Sequence, residues 1–211
     1  MKDTSCLLSG LLHLLAAPAA LLILRKKTKA KIYPAIAALA AAFPIFFIAG
    51  AIRSQFSDSP FLQFSIYNAL LYGVFEEGGK FLMLRFLLAP YITPKGAAAY
   101  GIGHSAFEDI NSGITCFGLI GTGKAAADIL PVTVISAAEG MVLCTAITLV
   151  IYYGIAFNKS RFTLPAAMLL HAVSNLSGRI LPMSVSVIVR SAITIAVCIA
   201  AFRLWSSART Q

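Results

Sequence analysis

Apolar runs of about 20 residues recur along nearly the whole chain, and short polar segments separate them. A run of this length is what an α-helix needs to cross the hydrocarbon core of a bilayer. The chain has 211 residues, of which 59% are hydrophobic and only 12% are charged. Soluble domains average about 25% charged residues. We therefore predict an all-α, polytopic membrane helix bundle.

The apolar runs number about seven, which predicts about seven transmembrane helices. Their approximate limits are 5–24, 32–52, 61–88, 96–120, 129–157, 163–181 and 183–205. No linker is long enough to divide the chain, so we predict a single integral membrane domain over 1–211. Pro44 lies inside the second run, where a proline kinks a membrane helix without ending it.

The basic residues predict how the helices are oriented. A formal net charge of +9 does not indicate nucleic acid here, because the basic residues lie in short segments between apolar runs. Positive charge follows the first run instead of preceding it, which favours an uncleaved helix over a signal peptide. With the amino end outside, the cytoplasmic segments hold eleven Lys and Arg residues and the outer segments hold four, among them Lys124. This asymmetry predicts a cytoplasmic carboxyl end.

Five acids break the apolar pattern, and the most constrained group is the stretch Phe75–Lys80. An ionised group deep in a membrane costs roughly 3 kcal/mol or more, so its presence requires a reason. Glu76 and Lys80 are four residues apart, which predicts an ion pair on one helix face. Glu77 is rotated by about 100° and must face another partner. The remaining acids inside apolar runs are Glu108, Asp109 and Glu139.

Two histidines lie at a similar depth. Glu76 is about 18 Å from the cytoplasmic end of its run, and His104 and His171 are each about 12 Å from theirs. His104 and Glu108 share a helix face, and so do His171 and Asn175, because the members of each pair are four residues apart. The grouping predicts one polar site in the inner half of the membrane.

These residue types have the chemistry of a peptide-bond hydrolase. A glutamate beside a histidine can hold a water molecule and remove its proton. A second histidine with Asn175 can donate hydrogen bonds to an oxyanion. Zinc is the alternative, with Glu76, His104 and His171 as ligands and water in the fourth position. The sequence lacks the helical HExxH motif of zinc proteases, so we favour a site without a cofactor.

An ordered set of motifs carries a family resemblance. Glu76-Glu77-x-x-Lys80, Tyr100-x-x-x-His104 and His171-x-x-x-Asn175 follow one another over about 61–181. This set resembles the intramembrane proteases that include the type II CAAX prenyl proteases and the bacterial CPBP, or ABI, proteins. The sequence motifs Phe-Glu-Glu-Gly-Gly-Lys and Gly-Ile-Gly-His-x-x-x-Glu resemble the YhfC-like branch most.

The resemblance implies an intramembrane endopeptidase of glutamic type in a bacterial cell membrane. Glu76 would be the general base and His104 would help to hold the water. His171 and Asn175 would form the oxyanion site, with accessory roles for Glu77, Lys80 and Glu108. The implied partners are membrane lipid and a peptide or membrane-protein substrate. Lysine and tyrosine replace the arginine and phenylalanine usual in prenyl proteases, which weakens any claim that the substrate is prenylated.

Two other functions use the same residues. A proton-coupled transporter or channel also needs buried acids and histidines, although the chain shows no inverted repeat. A non-catalytic immunity or scaffold protein could keep the protease fold, because fold does not imply function. The buried pairs could also be structural, which is our interpretation for Asp109, Glu139 and Arg190. We interpret the four cysteines, which lack a zinc-type spacing, as packing residues.

Overall fold

The computed structural model describes residues 2–90, 92–122 and 129–209, and most of them lie in seven α-helices. The helices are α1 (Lys2–Thr28), α2 (Tyr33–Ser54), α3 (Phe61–Leu82), α4 (Pro94–Gly118), α5 (Ile129–Ala156), α6 (Ser160–Ile180) and α7 (Met183–Arg209). The all-α prediction is confirmed, and each helix begins and ends within a few residues of its apolar run. Lys124, which the orientation prediction assigns to the outer side, lies outside the described residues.

The side chains are distributed as in a membrane protein. Large apolar side chains such as Leu22, Phe47 and Ile188 are more than half exposed, whereas Lys80 and Glu77 are fully buried. By length and composition, four of the described helices can cross a membrane: α1, α2, α5 and the segment Met183–Ser206 of α7. The other three, α3, α4 and α6, carry the polar residues of the predicted site.

The helix α4 lies at the centre of the packing and contacts α1, α2 and α5. Two glycines allow these contacts. A side chain at Gly103 would collide with the backbone of Ala35 in α2, and one at Gly101 would collide with the backbone of Thr145 in α5. Small residues of this kind let membrane helices approach closely. Gly101 and Gly103 therefore set how closely α4 packs against α5 and α2.

The start of α4 is defined by its own sequence. The Thr93 hydroxyl accepts a hydrogen bond from the Gly96 backbone N–H at 3.2 Å, and Pro94 occupies the first turn. Both residue types are favoured at helix starts, because they satisfy or remove backbone donors that have no partner within the helix. This start sets the register that directs His104 and Glu108 into the bundle.

The helix α3 packs against α6 and α2 and continues into a π-helical turn, Met83–Leu87. Such a turn holds one residue more than an α-helical turn and is frequent beside functional sites. Leu84 within it is fully buried. The helices α3 and α4 are not among the closely packed helix pairs of the described structure, so side chains bridge the space between them.

Candidate functional site

Three helices bring ionisable side chains together in the interior of the bundle. We call this group the central cluster, and it consists of Glu76, Glu77 and Lys80 on α3, His104 and Glu108 on α4, and His171 on α6. Glu108 is half-buried, and the other five side chains are buried. The structure therefore places Glu76, His104 and His171 in one site, although they are far apart in the sequence.

Glu76 lies between the two histidines. Its Oε2 atom is 3.2 Å from His104 Nε2 and 3.8 Å from His171 Nε2. An ionised carboxylate only accepts hydrogen bonds, so His104 donates from Nε2 to Glu76. The other ring nitrogen of His104, Nδ1, is buried and has no hydrogen-bond partner among the described residues. His104 thereby fixes the orientation of the carboxylate.

The prediction that Lys80 pairs with Glu76 is wrong. Lys80 Nζ instead donates to Glu77 Oε1 at 2.7 Å, three residues away. Residues at i+3 and i+4 are both neighbours on a helix face, so the spacing alone does not select the partner. His171 decides it, because its Nδ1 donates to the same Glu77 oxygen at 2.5 Å. Glu77 is thus the acid held by lysine, and Glu76 is the acid directed elsewhere.

When His171 is neutral, this network leaves two acceptor atoms facing each other. Because Nδ1 of a neutral His171 carries the proton, its Nε2 presents a lone pair to Glu76 Oε2 across 3.8 Å. Two acceptors at this separation repel unless positive charge lies between them. A water molecule that donates one hydrogen to each, a second proton on His171 or a metal ion would each relieve the repulsion.

The described residues offer one group of possible metal ligands. One ligand atom each from Glu76, Glu108 and His171 lie within 4.8 Å of one another. The predicted zinc set contained His104 in place of Glu108, so the structure changes one member of that set. The donor types suit zinc, and a histidine whose second nitrogen is held by a carboxylate, as His171 is by Glu77, is typical of metal ligands. The residues therefore fit a metal as well as a water.

The charge of the central cluster also requires compensation. Its three carboxylates face one buried ammonium group, which leaves two negative charges if all three are ionised and the histidines are neutral. Burying uncompensated charge is strongly unfavourable. Two protons or one divalent cation would balance the group, so charge alone does not select between them.

Aromatic rings enclose His104. Tyr100, one turn earlier on α4, stacks on its ring with centroids 6.4 Å apart. Phe46 from α2 lies 6.1 Å away, and it also contacts Tyr72 and Phe107. These contacts limit rotation of the imidazole and shield the contact between His104 and Glu76 from lipid.

Asn175 lies one turn after His171 on α6 and is half-buried. No side-chain hydrogen bond joins it to a described residue, Glu76 included. Its predicted role as an oxyanion donor stays a prediction.

Sequence reasoning missed two interhelical contacts, which we call the peripheral pairs. His13 on α1 lies 2.8 Å from Asp109 Oδ1 on α4, and Glu139 on α5 lies 3.5 Å from Arg190 on α7. The members of these pairs are 96 and 51 residues apart, so no helical spacing relates them. The one available signal was that each of these residues interrupts an apolar run.

Comparisons with known proteins agree with the membrane and protease predictions at a coarse level. A family model described as YhfC intramembrane metalloprotease matches residues 35–116. This match includes Glu76, His104 and Glu108 and ends before His171. The chain is also 41% identical over 49 residues to the uncharacterized membrane protein YhfC of Bacillus subtilis (strain 168).

That aligned segment is short. It spans 23% of this chain and 19% of the Bacillus protein, so the chain covers about a fifth of that relative's length. No solved structure matches the chain. The chain is therefore an integral membrane protein similar to a family named for intramembrane proteolysis, and the wider CPBP and ABI resemblance stays a prediction.

Proposed function

We propose that the chain is an intramembrane endopeptidase of glutamic type in which Glu76 removes a proton from the attacking water. The observation that carries the proposal is the approach of Glu76 Oε2 to His171 Nε2, 3.8 Å apart in a buried site, where a neutral His171 leaves both atoms as acceptors. A water molecule between them can donate one hydrogen to each, which leaves its lone pairs directed at a substrate carbonyl. The similarity to a family described as intramembrane metalloproteases supports intramembrane proteolysis as the class of reaction, and the metal in that description favours the zinc candidate below.

Each neighbouring residue then has a part in the reaction. His104 holds the Glu76 carboxylate in place, and Glu77 with Lys80 holds the His171 ring. Glu76 takes a proton as water attacks the peptide carbonyl, and it returns this proton to the departing amine. Asn175, one turn from His171 on α6, would donate to the oxyanion.

Zinc is the second candidate, because the donor set and the charge balance both suit a divalent cation. Glu76, Glu108 and His171 would hold the ion. When bound, zinc supplies Lewis acidity toward the carbonyl and acidifies its water. Glu77 would then fix the ring of a metal ligand instead of the ring of a water acceptor.

Activity is tested by comparing wild type with Glu76→Gln in proteoliposomes that contain membrane peptides, with new peptide termini read by mass spectrometry. We expect wild type to generate new termini and Glu76→Gln to lose almost all of this activity, because no base remains. Glu139→Gln is the matched control, since it removes a buried carboxylate outside the central cluster, and it should retain most activity. Equal cleavage by wild type and Glu76→Gln would remove Glu76 from the mechanism.

The same preparations separate the two chemistries. The glutamic proposal expects no stoichiometric zinc and full activity in phenanthroline. One zinc per chain, lost together with activity and restored by added zinc, would replace the glutamic mechanism with the metal one. Solute flux that depends on Glu76 would instead identify a transporter. Binding of an intact peptide without cleavage would identify a scaffold protein.

A further inference from the structure

A second polar space borders the central cluster. It is a cavity of about 160 Å³ between α1, α4, α5 and α7, and we call it the side cavity. Water occupies about 30 Å³ per molecule in the liquid, so the side cavity can hold several. Its wall is rich in polar groups, among them Ser105, Ser112, Ser136, Glu108, Asp109 and Arg190. A larger cavity of about 600 Å³ between α4, α5 and α7 is lined almost entirely by apolar side chains.

The side cavity contains an acceptor that needs a partner. Asp109 is 6% exposed, and its Oδ1 is 2.8 Å from His13 Nδ1. Its other oxygen, Oδ2, is buried and has no hydrogen-bond partner among the described residues. A buried polar atom without a partner costs about 1–3 kcal/mol, and more when it is charged. Asp109 lines the side cavity, so this unpaired oxygen belongs to a residue that borders a polar space.

Glu108 joins the side cavity to the central cluster. It lines the cavity, and one of its carboxylate oxygens lies within 4.8 Å of ligand atoms of both Glu76 and His171. Glu76 itself is only 2% exposed, so a hydrolytic reaction there requires a route for water. The backbones of α3 and α4 are not closely packed, so side chains fill the space between them. Among these side chains, Glu108 lies between the side cavity and the central cluster, where water could pass from one to the other.

The position of the side cavity along the helices indicates which membrane face it adjoins. Glu108 is one turn from His104 toward the end of α4, and Ser136 and Arg190 are each about 10 Å from the starts of α5 and α7. These helix ends all belong to the side that the basic residues predict to be outside. The side cavity thus lies between the central cluster and that face.

We propose that the side cavity is a water compartment, filled from the outer face, that delivers the hydrolytic water to Glu76, and that Glu108 positions this water. The delivery step rests on the proposed peptidase function. The compartment itself does not, because its hydration can be measured without any reaction.

The first test measures access to the cavity in a variant whose four cysteines are replaced by alanine. Silver ion, a small thiol reagent, is applied to the outer face of oriented proteoliposomes carrying Ser136→Cys. The control is Ser65→Cys on α3, which is fully buried and nearer its helix start but does not line the cavity. We expect Ser136→Cys to react at least about 10-fold faster, and equal rates would overturn the compartment.

Two exposed positions establish the orientation in the same vesicles. Ser57→Cys, in the loop between α2 and α3, should react with an impermeant reagent from outside, and Lys159→Cys should not. The reverse pattern, with the thiol at position 136 reacting from the inner face, would overturn filling from outside.

The second test uses wild-type protein, so it does not depend on a variant that must fold. Radiolytic hydroxyl radicals label side chains beside ordered water. Met141 is half-buried and lines both the side cavity and the larger apolar cavity, and Met168 is also half-buried but lies on α6. We expect Met141 to be oxidised several-fold faster than Met168. Oxidation of Met141 no faster than Met168 contradicts a hydrated cavity.

The third test concerns delivery. Glu108→Gln should lower kcat at least about 10-fold with KM unchanged and should change the solvent deuterium isotope effect, while Glu108→Asp recovers part of the rate. A change in KM alone would assign Glu108 to substrate binding and overturn the positioning role. If wild type cleaves nothing, the peptidase proposal fails, while Ser136 and Met141 still report whether the compartment exists.

Discussion

The central cluster and the peripheral pairs both place charged side chains between membrane helices, but they distribute the charge differently. In each peripheral pair one acid meets one base, as in Glu139 with Arg190. In the central cluster three carboxylates share one lysine, and a single oxygen of Glu77 receives both Lys80 and His171. A one-to-one pair neutralises itself and joins two helices. The central cluster has fewer positive than negative groups. Glu76 therefore remains available to a proton, a water molecule or a metal ion.

The largest difference should appear in stability when each basic residue is removed. Lys80→Met leaves Glu77 buried without its lysine, which typically costs about 3–5 kcal/mol. Arg190→Met should cost less, because the Arg190 side chain is 27% exposed, its contact is 3.5 Å long and Glu139 keeps a hydrogen bond from Ser191 at 3.2 Å. Unfolding of the purified variants in mixed detergent gives both values.

A double variant controls for lost packing. Lys80→Met combined with Glu77→Gln removes the buried charge and should recover much of the stability that Lys80→Met loses. If the double variant is no more stable than the single one, charge compensation is not the function of Lys80.

The next largest effect should be on the cleavage rate, which variants of the central cluster should lower and variants outside it should not. His104→Ala and His171→Ala should each lower the cleavage rate by about 10²-fold, the scale for losing one positioned donor. Asn175→Ala should have a similar effect if it donates to the oxyanion. The matched control is Asn111→Ala, an exposed asparagine whose side chain bonds only to its own helix. Equal rates for the two asparagine variants would remove Asn175 from the site.

The smallest effect should come from coupling within a peripheral pair. A double-mutant cycle on Glu139→Gln and Arg190→Met should give an interaction energy of about 1 kcal/mol or less, as for partly exposed ion pairs. The measurement is the free energy of unfolding of the four proteins. A coupling as large as that of Lys80 with Glu77 would erase the distinction between the two regions.

The sequence predicted most of the fold, because a helix that crosses a membrane must be apolar over a fixed length. It also singled out the acids and histidines that the structure brings together, since charge inside an apolar run is too unfavourable to be incidental, whereas the roles of these residues and of Asn175 stay predictions. It did not predict the partner of Lys80. Both Glu76 and Glu77 lie within reach on α3, and the choice depends on His171, which arrives from a helix more than 90 residues later.

Other features also depend on tertiary contacts. No helical spacing assigns His13 a partner, and only the approach of α1 to α4 reveals Asp109 beside it. The side cavity is formed by four helices, so no local pattern encodes it. The place of Glu108 between two spaces follows from the register of α4, which Thr93 and Pro94 set.

The π-helical turn at Met83–Leu87 has a consequence for how the length of this chain can vary. A π-turn corresponds to one residue inserted into an α-helix. Deleting one residue there would restore ordinary α-helical geometry and leave the preceding turns of α3 unchanged. The same deletion a few residues before Glu76 would rotate both glutamates and Lys80 by about 100° relative to the start of the helix. Natural shortening of α3 should therefore be tolerated in this turn and excluded from the segment before it.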